Sequence, residues 1–181
     1  RATGYGGVLV SQTKRPHEAR VAKLFGATET VAPGAEAREA MIRTGAKAHK
    51  PIIGDEVFAG GGFPLIFDCV GSRATLSQAL GFAAERGRIV VLGCAAQIPK
   101  LDLSFLWSRE LVVQGSVGYA TEQWQGRSVH TFELTHEFMR TSDAPLSELV
   151  THKVPLVEYR RGLSAAADHR RSGAMKVVLT P

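Results

Sequence analysis

The chain has 181 residues, 44% hydrophobic and 22% charged, with a net charge of +5 and a pI near 9.5. That balance is ordinary for a soluble globular protein, and the length suits one domain with a sizeable core. It excludes a membrane span, because no apolar run approaches the roughly 20 residues a bilayer demands, and two cysteines exclude a disulfide-rich secreted scaffold.

The opening, Arg1-Ala2-Thr3-Gly4-Tyr5-Gly6-Gly7, has neither a start methionine nor a signal-peptide pattern and reads as the middle of a protein. Gly7-Val8-Leu9-Val10-Ser11 predicts a short buried strand. Pro16 opens a helix at its favoured first position and Gly26 closes it, with Val21, Leu24 and Phe25 at helical spacing. Ala27 to Ala32 predicts a second strand. Ala35 to Thr44 predicts a second helix, with Ala37, Met41 and Thr44 on one side. Strand–helix–strand–helix with short connections is the doubly wound pattern. Gly45 to Gly62 is the least structured region, and its glycine triplet marks a loop.

The next stretch is the most informative. Pro64 to Cys69 and Arg88 to Leu92 are apolar strands followed by Gly71 and Gly93, joined by a helix over Arg73 to Glu85 that Gly87 ends. Ser72 is its N-cap, and Leu76, Ala79, Leu80 and Ala83 form its apolar face. This is the grammar of parallel strands with a crossover helix and small residues at the ligand edge. A short helical piece follows around Phe105 to Arg109, then a strand from Glu110 to Val117. Arg127 to Arg140 predicts an amphipathic helix with Val129, Phe132 and Met139 on one face. The last strand candidates are Lys153-Val154 and Lys176 to Leu179, separated by a helix showing Leu156, Tyr159, Leu163 and Ala166.

Chemistry is sparse along this chain. His130 and His136 are six apart, off the i, i+4 spacing, and neither His-Glu-x-x-His nor paired Cys-x-x-Cys occurs, so no metal set is assigned. No nucleophile triad can be argued, and no catalytic residue is assigned. Asp68, among apolar neighbours, suits a structural hydrogen-bonding role better than an acid. Cys69 and Cys94 read as small strand residues in a reducing compartment, the cytoplasm. The densest basic cluster, Arg160-Arg161 with His169-Arg170-Arg171, has no interleaved aromatics, which argues for a solvated helix face and against nucleic acid.

Six stretches, in order and spacing, resemble one family. They are Ala22 to Thr28, Phe67 to Ser72, Gly87 to Gly93, Arg109 to Ser116, Leu149 to Leu156 and Lys176 to Leu179. Together they are similar to the medium-chain dehydrogenases, specifically the zinc-dependent alcohol, polyol and threonine dehydrogenase branch. The resemblance implies an α/β fold with a doubly wound parallel Rossmann sheet, here lacking its first strand and its Gly-x-Gly-x-x-Gly turn. Residues 1–181 would be a partial NAD(P)-binding domain with the C-terminal return segment, starting at the tail of the first helix. In full-length relatives a GroES-like domain with Cys, His and Glu ligands of the catalytic zinc precedes it, so zinc belongs to that domain and this chain alone is expected to be inactive. Because the first strand is central in the order 3-2-1-4-5-6, its absence leaves an unpaired gap. The expectation is therefore a longer polypeptide, or a strand from another chain; an independently folded 181-residue unit would contradict it.

The resemblance also places the cofactor. The first strand here corresponds to the second Rossmann strand, whose tip reads the adenosine ribose. That tip carries Gln12 and Thr13, then Lys14 and Arg15, a neutral end with two cations suited to a 2′-phosphate, so NADP is favoured over NAD. Val70, Gly71, Ser72, Gly93, Cys94, Val117 and Gly118, at the carboxyl ends of the later strands, would line the nicotinamide–ribose side, and Lys176 matches a basic position near the cofactor. The reaction implied is hydride transfer between NAD(P) and an alcohol, polyol or ketone, in a homodimer or tetramer joined at Leu101 to Ser104 or along Leu111 to Val113. Three alternatives stay open: a non-catalytic dinucleotide-binding module, a basic nucleic-acid-associated domain, and the cofactor domain of a zinc-free quinone reductase.

Overall fold

A computed structural model describes residues 3–94 and 96–181. Strand β1 (Val10–Gln12), helix α1 (Pro16–Leu24), strand β2 (Glu29–Val31) and helix α2 (Ala35–Arg43) come first. Next come β3 (Lys47–His49), β4 (Val57–Ala59), β5 (Phe63–Asp68), α3 (Arg73–Phe82), β6 (Ala83–Val91), α4 (Ser104–Ser108) and β7 (Val112–Gly115). The remainder holds β8 (Thr121–Trp124), β9 (Arg127–His130), α5 (Thr131–Thr141), β10 (Val150–Pro155), α6 (Tyr159–Ala167), α7 (His169–Ser172) and β11 (Lys176–Thr180). The chain divides into two compact units, residues 1–37 with 132–181, and residues 38–131.

In the first unit β1 and β2 pair in parallel, Val10 opposite Glu29 and Gln12 opposite Val31. Helix α1 returns between them and buries Val21, while Leu24 stays exposed. β10 and β11 form a second parallel pair, covered by α6. Contact there centres on Gly162, where a Cβ would stand 2.8 Å from Leu179 Cδ2. The expected apolar stripe of that helix is not its buried face: Leu156, Tyr159 and Leu163 are all exposed. The absence of a side chain, not its apolarity, lets the helix lie down on the strands.

The second unit is built on the parallel sheet β5-β6-β7, with Ile66 opposite Ile89 and Ile89 opposite Val113. Leu76, Ala79, Leu80 and Ala83 are buried against Ile89 and Leu111, so the predicted apolar face of α3 is the one that packs. The helix ends at Phe82, earlier than expected, because Ala83 turns extended and pairs with Phe63. A tight excursion through Ala84 to Gly87 then restores the register at Leu65 and Arg88; a Cβ on Gly87 would meet the Ala84 carbonyl oxygen at 2.7 Å.

Other segments depart from the sequence reading. The stretch from Gly45 to Gly62 contains the antiparallel pair β3–β4, with Phe58 packed on Met41 and edge-to-face against Phe82 at 5.5 Å. Arg127–His130 is a strand, not the first turn of a helix, because Gln125 and Gly126 both adopt positive φ and form a two-residue hairpin turn with β8. Helix α5 buries Leu134, while Phe132 and Met139 are exposed. Thr3 to Leu9 form neither helix nor strand, and the reading of the opening as a helix tail otherwise falls on Arg1 and Ala2, outside the described residues. Among the described residues β1–β2 and β5–β6–β7 are separate sheets, and β5 pairs with β6 alone.

Candidate functional site

In the first unit the pairing of β1 extends one bond past the strand, as the Thr13 N–H donates to the Val31 carbonyl at 2.9 Å. The chain then turns through Lys14 and Arg15 into α1. Glu18, in the first turn of that helix, reaches back over the turn. Its Oε2 accepts the backbone N–H of Lys14 at 3.0 Å and of Arg15 at 3.2 Å, and its Oε1 accepts the Arg15 guanidinium. This satisfies N–H groups at the entry of the helix that have no partner within it. Partial burial raises the Glu18 carboxyl, but the Arg15 ion pair and the two N–H donors outweigh that and hold it below the usual carboxylate range.

A cavity of about 560 Å³ opens beside this turn, lined by Ser11, Gln12, Thr13, Glu18, His169 and Met175 among others. Every lining residue belongs to the first unit. The lining includes two of the residues expected at the ribose end, Gln12 and Thr13. Lys14, Arg15 and Lys176 are outside it. Lys176 opens β11 between Met175 and Val177, both of which do line the cavity, and the alternation of a strand turns its side chain to the opposite face. Glu18 and His169 were not legible as lining residues, although the spacing of Glu18 from Arg15 is that of a capping box.

In the second unit Asp68 ends β5 and is 5% exposed. Its Oδ1 accepts the N–H of Val70 and of Gly71, each at 3.0 Å, and its Oδ2 accepts the Thr75 hydroxyl at 3.0 Å. Ser72 caps α3 by accepting the Thr75 N–H at 3.2 Å. Asp68 is therefore the structural acceptor that its apolar neighbours suggested. Gly71 holds φ +71°, which favours glycine. Gly93 approaches the same turn so closely that a Cβ would lie 2.1 Å from the Val70 carbonyl carbon, and its N–H donates to the Asp68 backbone carbonyl at 3.0 Å. Val70, Gly71, Ser72 and Gly93 thus form one turn cluster at the carboxyl ends of β5 and β6. Cys94 follows it, exposed, and Val117 and Gly118 are exposed beyond the end of β7. Cys69 is a free thiol whose ionisation burial, and then the Asp68 carboxylate, pushes up.

Arg109, which no motif singled out as functional, ties this unit together. Its guanidinium donates to the carbonyls of Gly81 at 2.9 Å, Ala83 at 2.8 Å and Phe58, and lies 4.3 Å over the Phe105 ring. Carbonyls at the end of α3 that lack helical partners are thereby satisfied by a cation. Among the described residues no three His, Cys, Asp or Glu side chains are grouped to hold a metal ion.

Residues 1–133 match the family of zinc-binding dehydrogenases. The chain belongs to that family. No curated protein sequence matches it. Solved structures similar to this zinc-binding dehydrogenase chain include L-idonate 5-dehydrogenase from Escherichia coli, with a TM-score of 0.76 and 18% identity over 99% of this chain and 44% of that one. A short chain alcohol dehydrogenase from Escherichia coli CFT073 complexed with NADH gives 0.73 and 15% over 99% and 46%. A zinc-binding dehydrogenase from Sinorhizobium meliloti bound to NADP gives 0.63 and 22% over 96% and 45%. These likenesses show the fold: a Rossmann-like α/β arrangement with parallel strands. The chain spans less than half the length of each of those structures. The family implies a zinc ion, but the described residues do not fit one.

Proposed function

We propose that this chain is the cofactor-binding part of a nicotinamide-dependent dehydrogenase that acts on an alcohol, polyol or ketone. The observation that carries the reading is the cavity at the carboxyl end of β1, where ligands of open α/β sheets bind. Its lining fits an adenosine ribose: Ser11, Gln12 and Thr13 offer hydroxyl and amide groups for hydrogen bonds, and Val21 and Ala22 offer apolar surface. The carboxyl-end turn of Val70, Gly71 and Ser72, with Gly93 and Cys94, Val117 and Gly118, supplies backbone groups for the nicotinamide–ribose side; Lys176, which faces away from the cavity, is given no contact with the ligand there. The bound dinucleotide supplies the hydride acceptor, while this chain's own residues bind and orient it. Zinc ligands, in this reading, come from outside residues 1–181.

The neutral tip and Lys14 support NADP over NAD. The apolar, exposed edge of β7, at Val112 and Val113, supports pairing with a second copy into a homodimer. Two free cysteines support a reducing compartment such as the cytoplasm. The testing experiment is fluorescence titration of the intact protein with NADPH and NADH, followed by alcohol-dependent reduction of the oxidised cofactors. Binding with turnover supports the dehydrogenase; binding without turnover on any alcohol turns the reading to a dinucleotide-binding module; no binding overturns it.

A further inference from the structure

We propose that Glu18 sets the choice between NAD and NADP, by holding Arg15 in an internal ion pair and presenting its own carboxylate to the ribose 2′ position. The inference rests on the cofactor reading above and deepens it. At the level of residue types, Lys14 and Arg15 make the turn cationic. In three dimensions the Arg15 charge is already matched: its guanidinium is bound to Glu18 Oε1, both side chains are only about a quarter exposed (22% and 25%), and Arg15 does not line the cavity. Glu18 does line it, next to Ser11, Gln12 and Thr13.

Counting acceptor sites extends the argument. A carboxylate offers about four lone-pair sites, two on each oxygen. Oε2 uses both on the Lys14 and Arg15 N–H groups, and Oε1 uses one on the Arg15 guanidinium. One site on Oε1 remains, suited to a ribose hydroxyl, which can donate. A fully ionised 2′-phosphate cannot donate, and beside Glu18 it meets a like charge that the exposed Lys14 ammonium offsets in part. The preference for NADP is therefore shallow as the chain stands, and Glu18 is the residue that keeps it so.

The test is a double-mutant cycle on the intact protein, reading dissociation constants for NADPH, NADH and 2′,5′-ADP, with melting curves to confirm that each variant is folded. Glu18→Gln removes the negative charge and releases Arg15, while an amide oxygen remains to accept N–H groups. The NADPH-over-NADH affinity ratio is expected to rise about tenfold, with 2′,5′-ADP tightening in step. Arg15→Gln alone is expected to leave the ratio within about twofold, because the guanidinium is spent on Glu18; in the Glu18→Gln background it should remove part of the gain, the remainder being relief of the like charge. A ratio unmoved by Glu18→Gln in a folded variant overturns the inference, as does a gain wholly undiminished by loss of Arg15. If the unsubstituted protein binds neither NADPH nor NADH, the cofactor reading falls, and the inference with it.

Discussion

Two turns of this molecule do the same local job in opposite ways. In each, a parallel strand gives way to a helix, and one carboxylate gathers two consecutive or near-consecutive backbone N–H groups. Asp68 does so from the end of the strand, 5% exposed, with a threonine hydroxyl as its third partner. Glu18 does so from the first turn of the helix, one quarter exposed, with an arginine as its third partner. Each accepts three bonds, but the buried carboxylate is closed to any further partner, and its loss leaves donors without one. The quarter-exposed one can be removed at small cost to the fold, because water can reach the N–H groups it leaves. A strand-to-helix turn can thus be fixed either by a residue that is only structural or by one still available to a ligand.

The largest effect should come from breaking the buried member. Asp68→Ala strands the Val70 and Gly71 N–H groups and the Thr75 hydroxyl, and should lower unfolding free energy by about 3–4 kcal/mol in urea titration. Asp68→Asn keeps one carbonyl acceptor and should cost about half as much. Next comes Arg109→Ala in the same unit, which deprives three carbonyls of their donor and should cost about 2–3 kcal/mol; lysine at that position, a point charge without the fork, should recover little.

Glu18→Gln, by contrast, should cost less than about 1 kcal/mol at pH 7, because the glutamine oxygen still accepts the turn N–H groups and the loss is that of one partly exposed ion pair. Its pH dependence has a definite sign. The folded-state ionisation of Glu18 lies below the usual range, so its stabilisation is present above the unfolded-state value and is lost as pH falls through the folded one. Melting curves of the two proteins should therefore converge as pH falls below the usual carboxylate range. The smallest expected effect is at Cys69. Its thiol is pushed up, so it should alkylate more slowly than an unhindered thiol near pH 8, and its rate should keep climbing past about pH 9.5, where an ordinary thiol levels off.

Legibility in the sequence followed how local the determining interaction was. The start of α1 at Pro16, the Ser72 cap and the packed face of α3 could all be read, because each is decided within one turn of helix. The β3–β4 hairpin could not: its strands have three residues each, with no alternation, and they are held by Phe58 on Met41 and by the ion pair of Arg38 with Glu56 at 2.6 Å, eighteen residues apart. The Gln125-Gly126 turn carried a hairpin signal that the amphipathic pattern of the following helix masked. On α6 the apolar stripe misled, since close packing at Gly162 decided the face. For the candidate site, Gln12 and Thr13 were legible from their place at a strand tip. Glu18 and His169 were not, because which side chains border a cavity depends on how elements distant in sequence fold together.

One consequence concerns how the molecule is made. The unit of residues 38–131 is continuous along the chain, whereas its companion needs both residues 1–37 and 132–181. During synthesis from the amino end, the continuous unit has all its strands as soon as its last residue leaves the ribosome, and can close its core first. The other must keep β1, α1 and β2 waiting until β10 and β11 emerge, and its closure spans more than a hundred residues of intervening chain. Its contacts are the non-local, slowly formed ones. The cavity by Gln12 and Glu18, shared between early and late segments, is therefore completed late, so the capacity to bind a ligand there reports that synthesis has passed Val177 and that this unit has closed.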